Sequence, residues 1–239
     1  MQKYNLTKSS GFTLAEVLVT LGIIGVVAAM TIPTLMQNYQ RQSYVTQLKK
    51  VYNEIGQAVE RYAADNNVVS LTESRLRGNS AEVNRFVTTY FKVVKNCHGS
   101  YTPCFSENYD KIEGTPFTVK GHSCMFTGTL ASGAAICMDS GAAETVKADK
   151  DINGDGKVDE NDVIQNSGVH AGQALTIEVD INGPQGPNVS GRDLFTMDVA
   201  PNGMVYDSNW KEDGSSFSLS PNGPTGIGRI INDGWQMTY

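Results

Sequence analysis

Residues 11–36 read GFTLAEVLVTLGIIGVVAAMTIPTLM, and after Glu16 no charged side chain follows until Arg41. A hydrocarbon layer about 30 Å thick takes about 20 consecutive apolar residues of helix to cross, so the run is long enough to span one. The spacing therefore predicts a membrane helix over 12–36. Glu16 is the anomaly, because a carboxylate placed in lipid costs about 2.5 kcal/mol or more and persists where it meets a partner or serves a function. Gly22, Gly25, Ala28 and Ala29 are small enough to let neighbouring helices approach closely. Pro33 cannot donate a backbone hydrogen bond and is expected to kink or locally melt the helix.

The order Gly11, Phe12, Thr13, Leu14, Ala15, Glu16, followed by an apolar run carrying Pro33, resembles the class III signal of type IV pilins and of the pseudopilins of type II secretion. The resemblance implies that a prepilin peptidase cuts after Gly11 and methylates the new amino terminus on Phe12. Residues 1–11 are then a leader, and the apolar helix stays. Glu16 becomes the fifth mature residue, where the family carries a glutamate, and Pro33 falls where many members carry a proline. The fold implied is α+β and pilin-like, with a long N-terminal helix packed on a C-terminal antiparallel β-sheet. The role implied is that of a filament subunit, drawn from the inner membrane by an assembly platform and bundled with other subunits through its apolar helix. Its amino terminus would be cytoplasmic before processing, and the rest periplasmic or extracellular.

Elementary electrostatics fits that spacing. A free amino group on Phe12 is a cation in a low-dielectric site, and a carboxylate one helical turn away, on the same subunit or the next, is its most favourable partner. Two plainer readings compete. A secretory signal would use Lys3 and Lys8 as its basic start and Val27 to Ala29 as its cleavage region. The charge of Glu16 inside that apolar core and the abrupt start at Phe12 speak against it. The other is a plain membrane anchor.

The 239 residues leave room beyond the helix for one extracytoplasmic domain, 37–239. The formal charge is -6, and removing residues 1–11 takes away Lys3 and Lys8 but no acid. That balance disfavours nucleic acid as a partner of the whole chain, although a local basic patch stays open. Cys97, Cys104, Cys124 and Cys137 all follow the membrane helix. On the oxidising side, an even number reads as two disulfides. We expect Cys97 with Cys104 and Cys124 with Cys137, among three pairings the sequence allows. A zinc site competes weakly, since there is no Cys-x-x-Cys pair.

Past the membrane, Tyr44, Val45, Leu48, Val51, Tyr52, Ile55, Ala58, Val59 and Tyr62 recur at steps of three and four, so the helix should continue to about Ala64 with this stripe against the core. Ser80 reads as the N-cap of a second helix whose stripe runs from Val83 to Val94. Residues 97–114 read as loop. Short apolar runs then predict strands at 117–119, 123–126, 134–138, 174–180, 194–199 and 204–206. The tail from Ile227 is too irregular to assign.

One inserted unit stands out, DINGDGKVDEND at 151–162. Asp151, Asn153, Asp155, the Lys157 carbonyl, Asp159 and Asp162, with Gly156 at the sharp turn, give the alternate oxygens that calcium needs from one tight loop. The pattern resembles the EF-hand-like loops of dockerins, which end in aspartate, although a dockerin carries two. Val163 and Ile164 are expected to start a short helix after it. A second acidic loop, DINGPQGPNVSGRD at 180–193, reads first as a cluster of turns. Alternatively Asp180, Asn182, Asn188 and Asp193 converge on a second calcium, as in the calcium-ordered loop of major pseudopilins, which the placement resembles.

No catalytic constellation is legible: His98, His122 and His170 have no evident base or metal partner, and no nucleophile elbow or phosphate loop occurs. The chain reads as a non-enzyme. The alternative to a filament subunit is a membrane-anchored, calcium-dependent binding or adhesion module.

Overall fold

The computed structural model describes residues 11–119, 123–140, 144–147, 163–166, 173–207 and 226–239. By packing it divides into two units, Met1–Gln42 and Ser43–Tyr239. Helix α1, Leu14–Asp65, contributes to both.

In the first unit α1 is helical through every described residue from Leu14, Pro33 included, so the local melting expected at Pro33 is absent. The hydroxyls in the apolar run are satisfied by the helix itself: Thr20 donates to the Val17 carbonyl and Thr31 to the Val27 carbonyl, both at 3.0 Å. In lipid no water would meet them, so this internal pairing is what a spanning helix requires.

In the second unit the predicted stripe is buried. Val45, Leu48, Val51, Ile55, Ala58, Val59 and Tyr62 lie in the main core, with Tyr44 and Tyr52 half-buried at its edge. Helix α2, Ser80–Tyr90, packs on it through edge-to-face contact between Tyr62 and Phe86, 5.3 Å between centroids. Asn79 rather than Ser80 is the N-cap, its side chain accepting from the Glu82 amide at 3.2 Å. The helix also stops earlier than its apolar stripe. Phe91 takes extended dihedrals (φ -117°, ψ 150°), and the chain becomes strand β1, Val93–Asn96, because Val93 pairs with Leu130 in a ladder.

Six strands form the main antiparallel sheet: β1, β4 (Phe126–Leu130), β5 (Ala135–Ser140), β8 (Leu175–Asp180), β9 (Leu194–Val199) and β10 (Val205–Asp207), in the order β1-β4-β5-β8-β9-β10. The register aligns Ile136 with Val179 and Val179 with Phe195, and likewise Met138 with Ile177 and Ile177 with Met197. These rows form the inner face, buried in one core with α1 and α2. The α+β expectation of a long N-terminal helix followed by an antiparallel sheet holds. Helix α3, Ile227–Asn232, orders part of the tail left unassigned from sequence. Its first amides are held by Asp207, which accepts from Gly226 at 3.2 Å and Gly228 at 2.8 Å.

The other face of the sheet is covered as well. In the excursion between β1 and β4 the strand expected at 117–119 is present as β3 (Pro116–Thr118), and the stretch 97–114, expected to be loop, supplies its hairpin partner β2 (Asn108–Asp110). The excursion is closed by the disulfides Cys97–Cys104 and Cys124–Cys137, the pairing expected, which leaves no thiol for zinc. Tyr101, Phe105 and Tyr109 are buried in a second cluster with Ala135, Cys137 and Leu194, and Tyr101 stacks on Phe105. This cover buries Leu194 at the start of β9, a strand buried at all six positions. A further pair, β6 (Glu144–Lys147) and β7 (Val163–Asn166), flanks the inserted unit. Val163 and Ile164 therefore belong to a strand and not to the expected helix, their backbone being paired with Lys147 and Val146.

Candidate processing and assembly site

Gly11, Phe12 and Thr13 precede α1 and are exposed, Phe12 to 90%. The Gly11–Phe12 peptide bond thus lies in exposed, non-helical chain. A Cβ built on Gly11 would meet nothing within 4 Å, so the need for glycine here does not arise from this chain's own packing.

Thr13 and Glu16 form a reciprocal cap on α1. The Glu16 carboxylate accepts from the Thr13 amide and from the Thr13 hydroxyl, both at 2.8 Å, while the Glu16 amide donates to the Thr13 hydroxyl at 3.3 Å. This is a Thr-x-x-Glu capping box, and it satisfies amides that the first turn of any helix leaves unpaired. The sequence reading assigned Glu16 only to a charge; the Thr13 spacing carried the signal for the cap. The Glu16 carboxylate thus caps the helix at the end where negative charge also suits the macrodipole.

Beyond the cap, the apolar run has no cover of its own. The side chains from Leu14 to Met36 are exposed with few exceptions, and α1 is the one described helix long and apolar enough to cross a membrane. A continuous apolar surface of this length requires lipid or other helices against it. Cβ atoms built at Gly22 and Gly25 meet nothing within 4 Å, so both glycines present open backbone for close approach.

Of the predicted calcium ligands, Asp151, Asn153, Asp155, Lys157, Asp159 and Asp162 lie outside the described residues. The 180–193 loop is described, and its four residues are held together. Asp180 accepts from the Tyr109 hydroxyl at 2.6 Å and the Asn182 amide at 3.2 Å. Asp193 accepts from the amides of Asn188 at 2.7 Å and Val189 at 2.6 Å. The side-chain amide of Asn182 donates to the carbonyls of Gln185 and Gly186, and that of Asn188 to the Ser106 hydroxyl. The loop thus supports itself as turns, while the buried Oδ1 atoms of Asn182 and Asn188 have no hydrogen-bond partner. Both carboxylates are fully buried. Burial pushes Asp180 up to about 8, with the neighbouring Asp193 charge adding to the rise against the lowering hydrogen bond from Tyr109. Burial likewise raises Asp193 to about 6, against the lowering amides of Val189 and Asn188. Two Tyr–carboxylate pairs that no local pattern announces hold the excursion to β8: Tyr109 with Asp180, and Tyr101 with Glu178.

Residues 6–32 match the family model described as the prokaryotic N-terminal methylation motif. Over 72 residues the chain is 36% identical to the type II secretion system core protein G of Aeromonas hydrophila, an overlap of 29% of this chain and 48% of that protein. The chain thus spans about half the length of this curated relative. No solved structure matches it. That motif opens the helix capped by Thr13 and Glu16, and an antiparallel sheet follows it, so the chain is similar at its N-terminus to proteins carrying this methylation motif, a type II secretion core protein G among them.

Proposed function

We propose that the chain is a structural subunit of a type II secretion pseudopilus or a type IV pilus. It is cleaved after Gly11, methylated at Phe12, and assembled through α1 at an inner-membrane platform. The observation that carries this reading is the Glu16 carboxylate, presented at the very start of an uncovered apolar helix and one turn from the bond to be cut. Cleavage places a cation on Phe12. Leaving lipid is uphill for the apolar surface unless it is reburied against other subunits, and the carboxylate–ammonium pair sets the register in which that reburial occurs. The two disulfides suit an extracytoplasmic location for the second unit. The role needs no catalysis. In cells carrying the cognate assembly machinery, the chain is expected in the sheared fibre fraction; recovery wholly in the membrane fraction would overturn the reading.

We further propose calcium as a structural ligand, bound by Asp151, Asn153, Asp155, Lys157, Asp159 and Asp162, with a second ion at Asp180, Asn182, Asn188 and Asp193. The donor chemistry of the first set and the two orphaned Oδ1 atoms beside buried carboxylates in the second support it. The second site has a pH signature. Unfolded aspartates titrate near 4, whereas Asp180 and Asp193 fold at about 8 and about 6. Between those values the folded chain holds more protons than the unfolded one, so in the absence of calcium its stability falls as pH rises from about 4 to 8. Tyr109, Tyr101 and Tyr44 face the pair, and Arg192 is the cation that acts on Tyr44 beside it. Calcium replaces those protons and is expected to remove the slope in thermal melts of the full chain in detergent. A slope unchanged by calcium would reject the second site.

A further inference from the structure

A filament needs two different surfaces on each copy, since contacts between unlike patches generate open helical assemblies while self-complementary ones close into dimers. Among the described residues of the second unit, three large apolar side chains are exposed: Val69 at 92%, Val94 at 63% and Met204 at 46%. They fall into two places. Val69 and Met204 line one cleft of about 420 Å³ between the end of α1 and the β9–β10 turn. Val94 stands on β1, one of the two edge strands of the main sheet.

The charges around the two places are opposite. Glu60 lines the Val69–Met204 cleft, while Glu73, which accepts from the Val69 amide at 3.3 Å, lines a second cleft with Arg75, Glu82 and Arg85; Glu60 and Glu73 are exposed acids. Val94 is flanked in sequence by Lys92 and Lys95, also exposed. Among the described residues Glu60, Lys92 and Lys95 form no ion pair. The lysines also protect an open sheet edge against indiscriminate strand pairing, which leaves a side-chain contact as the specific use of this ridge. Complementary charge of this kind chooses partner and orientation more than it adds affinity.

Resting on the filament reading above, we propose that the Val94 ridge of one copy seats in the Val69–Met204 cleft of the next copy, with Lys92 and Lys95 meeting Glu60 and Glu73. The test uses the full chain in cells that assemble it. A photo-crosslinking residue at position 94 is expected to join another copy through peptides containing Val69 or Met204; crosslinks mapping only elsewhere would overturn the proposal. Reversing the ridge (K92E with K95E) or the cleft (E60K with E73K) is expected to lower fibre yield about tenfold, and combining all four changes to restore most of it. Reversed pairs that each assemble normally, or a combination no better than either pair, would overturn it as well. The two readings are separable. If the unaltered chain forms no fibre, both fall, whereas fibres with crosslinks elsewhere defeat this contact alone.

Discussion

Glu16→Ala is expected to leave a chain that is cleaved after Gly11 and held in the membrane, but whose fibre yield falls tenfold or more. Removing one partner of a buried ion pair costs about 3–5 kcal/mol, because the remaining charge is left uncompensated. A tenfold loss corresponds to only about 1.4 kcal/mol. The capping box supplies the control. In the structure the Glu16 carboxylate also accepts from the Thr13 amide and hydroxyl, and a glutamine can keep those bonds without carrying charge. If capping alone matters, Glu16→Gln assembles normally. If the charge matters, it fails almost as fully as alanine, and that is the expected outcome. Normal fibres from both variants would contradict the role assigned to this residue.

The largest expected loss of stability is at Phe86. Its ring is fully buried between α1 and α2, edge-to-face with Tyr62 at 5.3 Å and with Phe91 at 5.7 Å, and tilted against Tyr90 at 5.5 Å. Phe86→Ala removes the apolar area and leaves a cavity lined by rings that cannot all collapse into it, so about 3–5 kcal/mol is expected from denaturant unfolding. Phe86→Leu keeps most of the volume and is expected to cost less, about 1.5 kcal/mol. An alanine variant within about 1 kcal/mol of the parent would show that α2 is not fastened to α1 through this ring.

Much of the architecture was legible because its signals are local. The stripe from Val45 to Tyr62 has helical spacing, and all its core members are buried. The inward residues Leu175, Ile177 and Val179 alternate along β8 as a half-covered strand should. The misreadings arose where a local pattern met a tertiary demand. Val94 extends the α2 stripe in sequence, but pairing of its neighbour Val93 with Leu130 draws the segment into a strand. Asn108-Tyr109-Asp110 is polar enough to pass for loop, yet it pairs with β3 because its tyrosine is anchored at Asp180. Val163 and Ile164 follow an acidic loop, where an EF-hand would begin a helix, and pair instead with β6. Of the candidate site, Glu16 stood out as a charge at the start of an apolar run, while the cleavage position came only from the resemblance of residues 11–16 to the family signal. The Thr13 cap could have been read from its spacing. The Tyr101 and Tyr109 anchors could not, since each joins residues more than seventy positions apart.

All of this depends on a new cation being made next to Glu16. Intact-mass and N-terminal peptide measurements on the protein from its native membrane test that directly. The expected result is a chain beginning at Phe12 with one added methyl group on its amine. A chain that still begins at Met1, or one that begins near Met30 with the apolar helix gone, would contradict the assembly account.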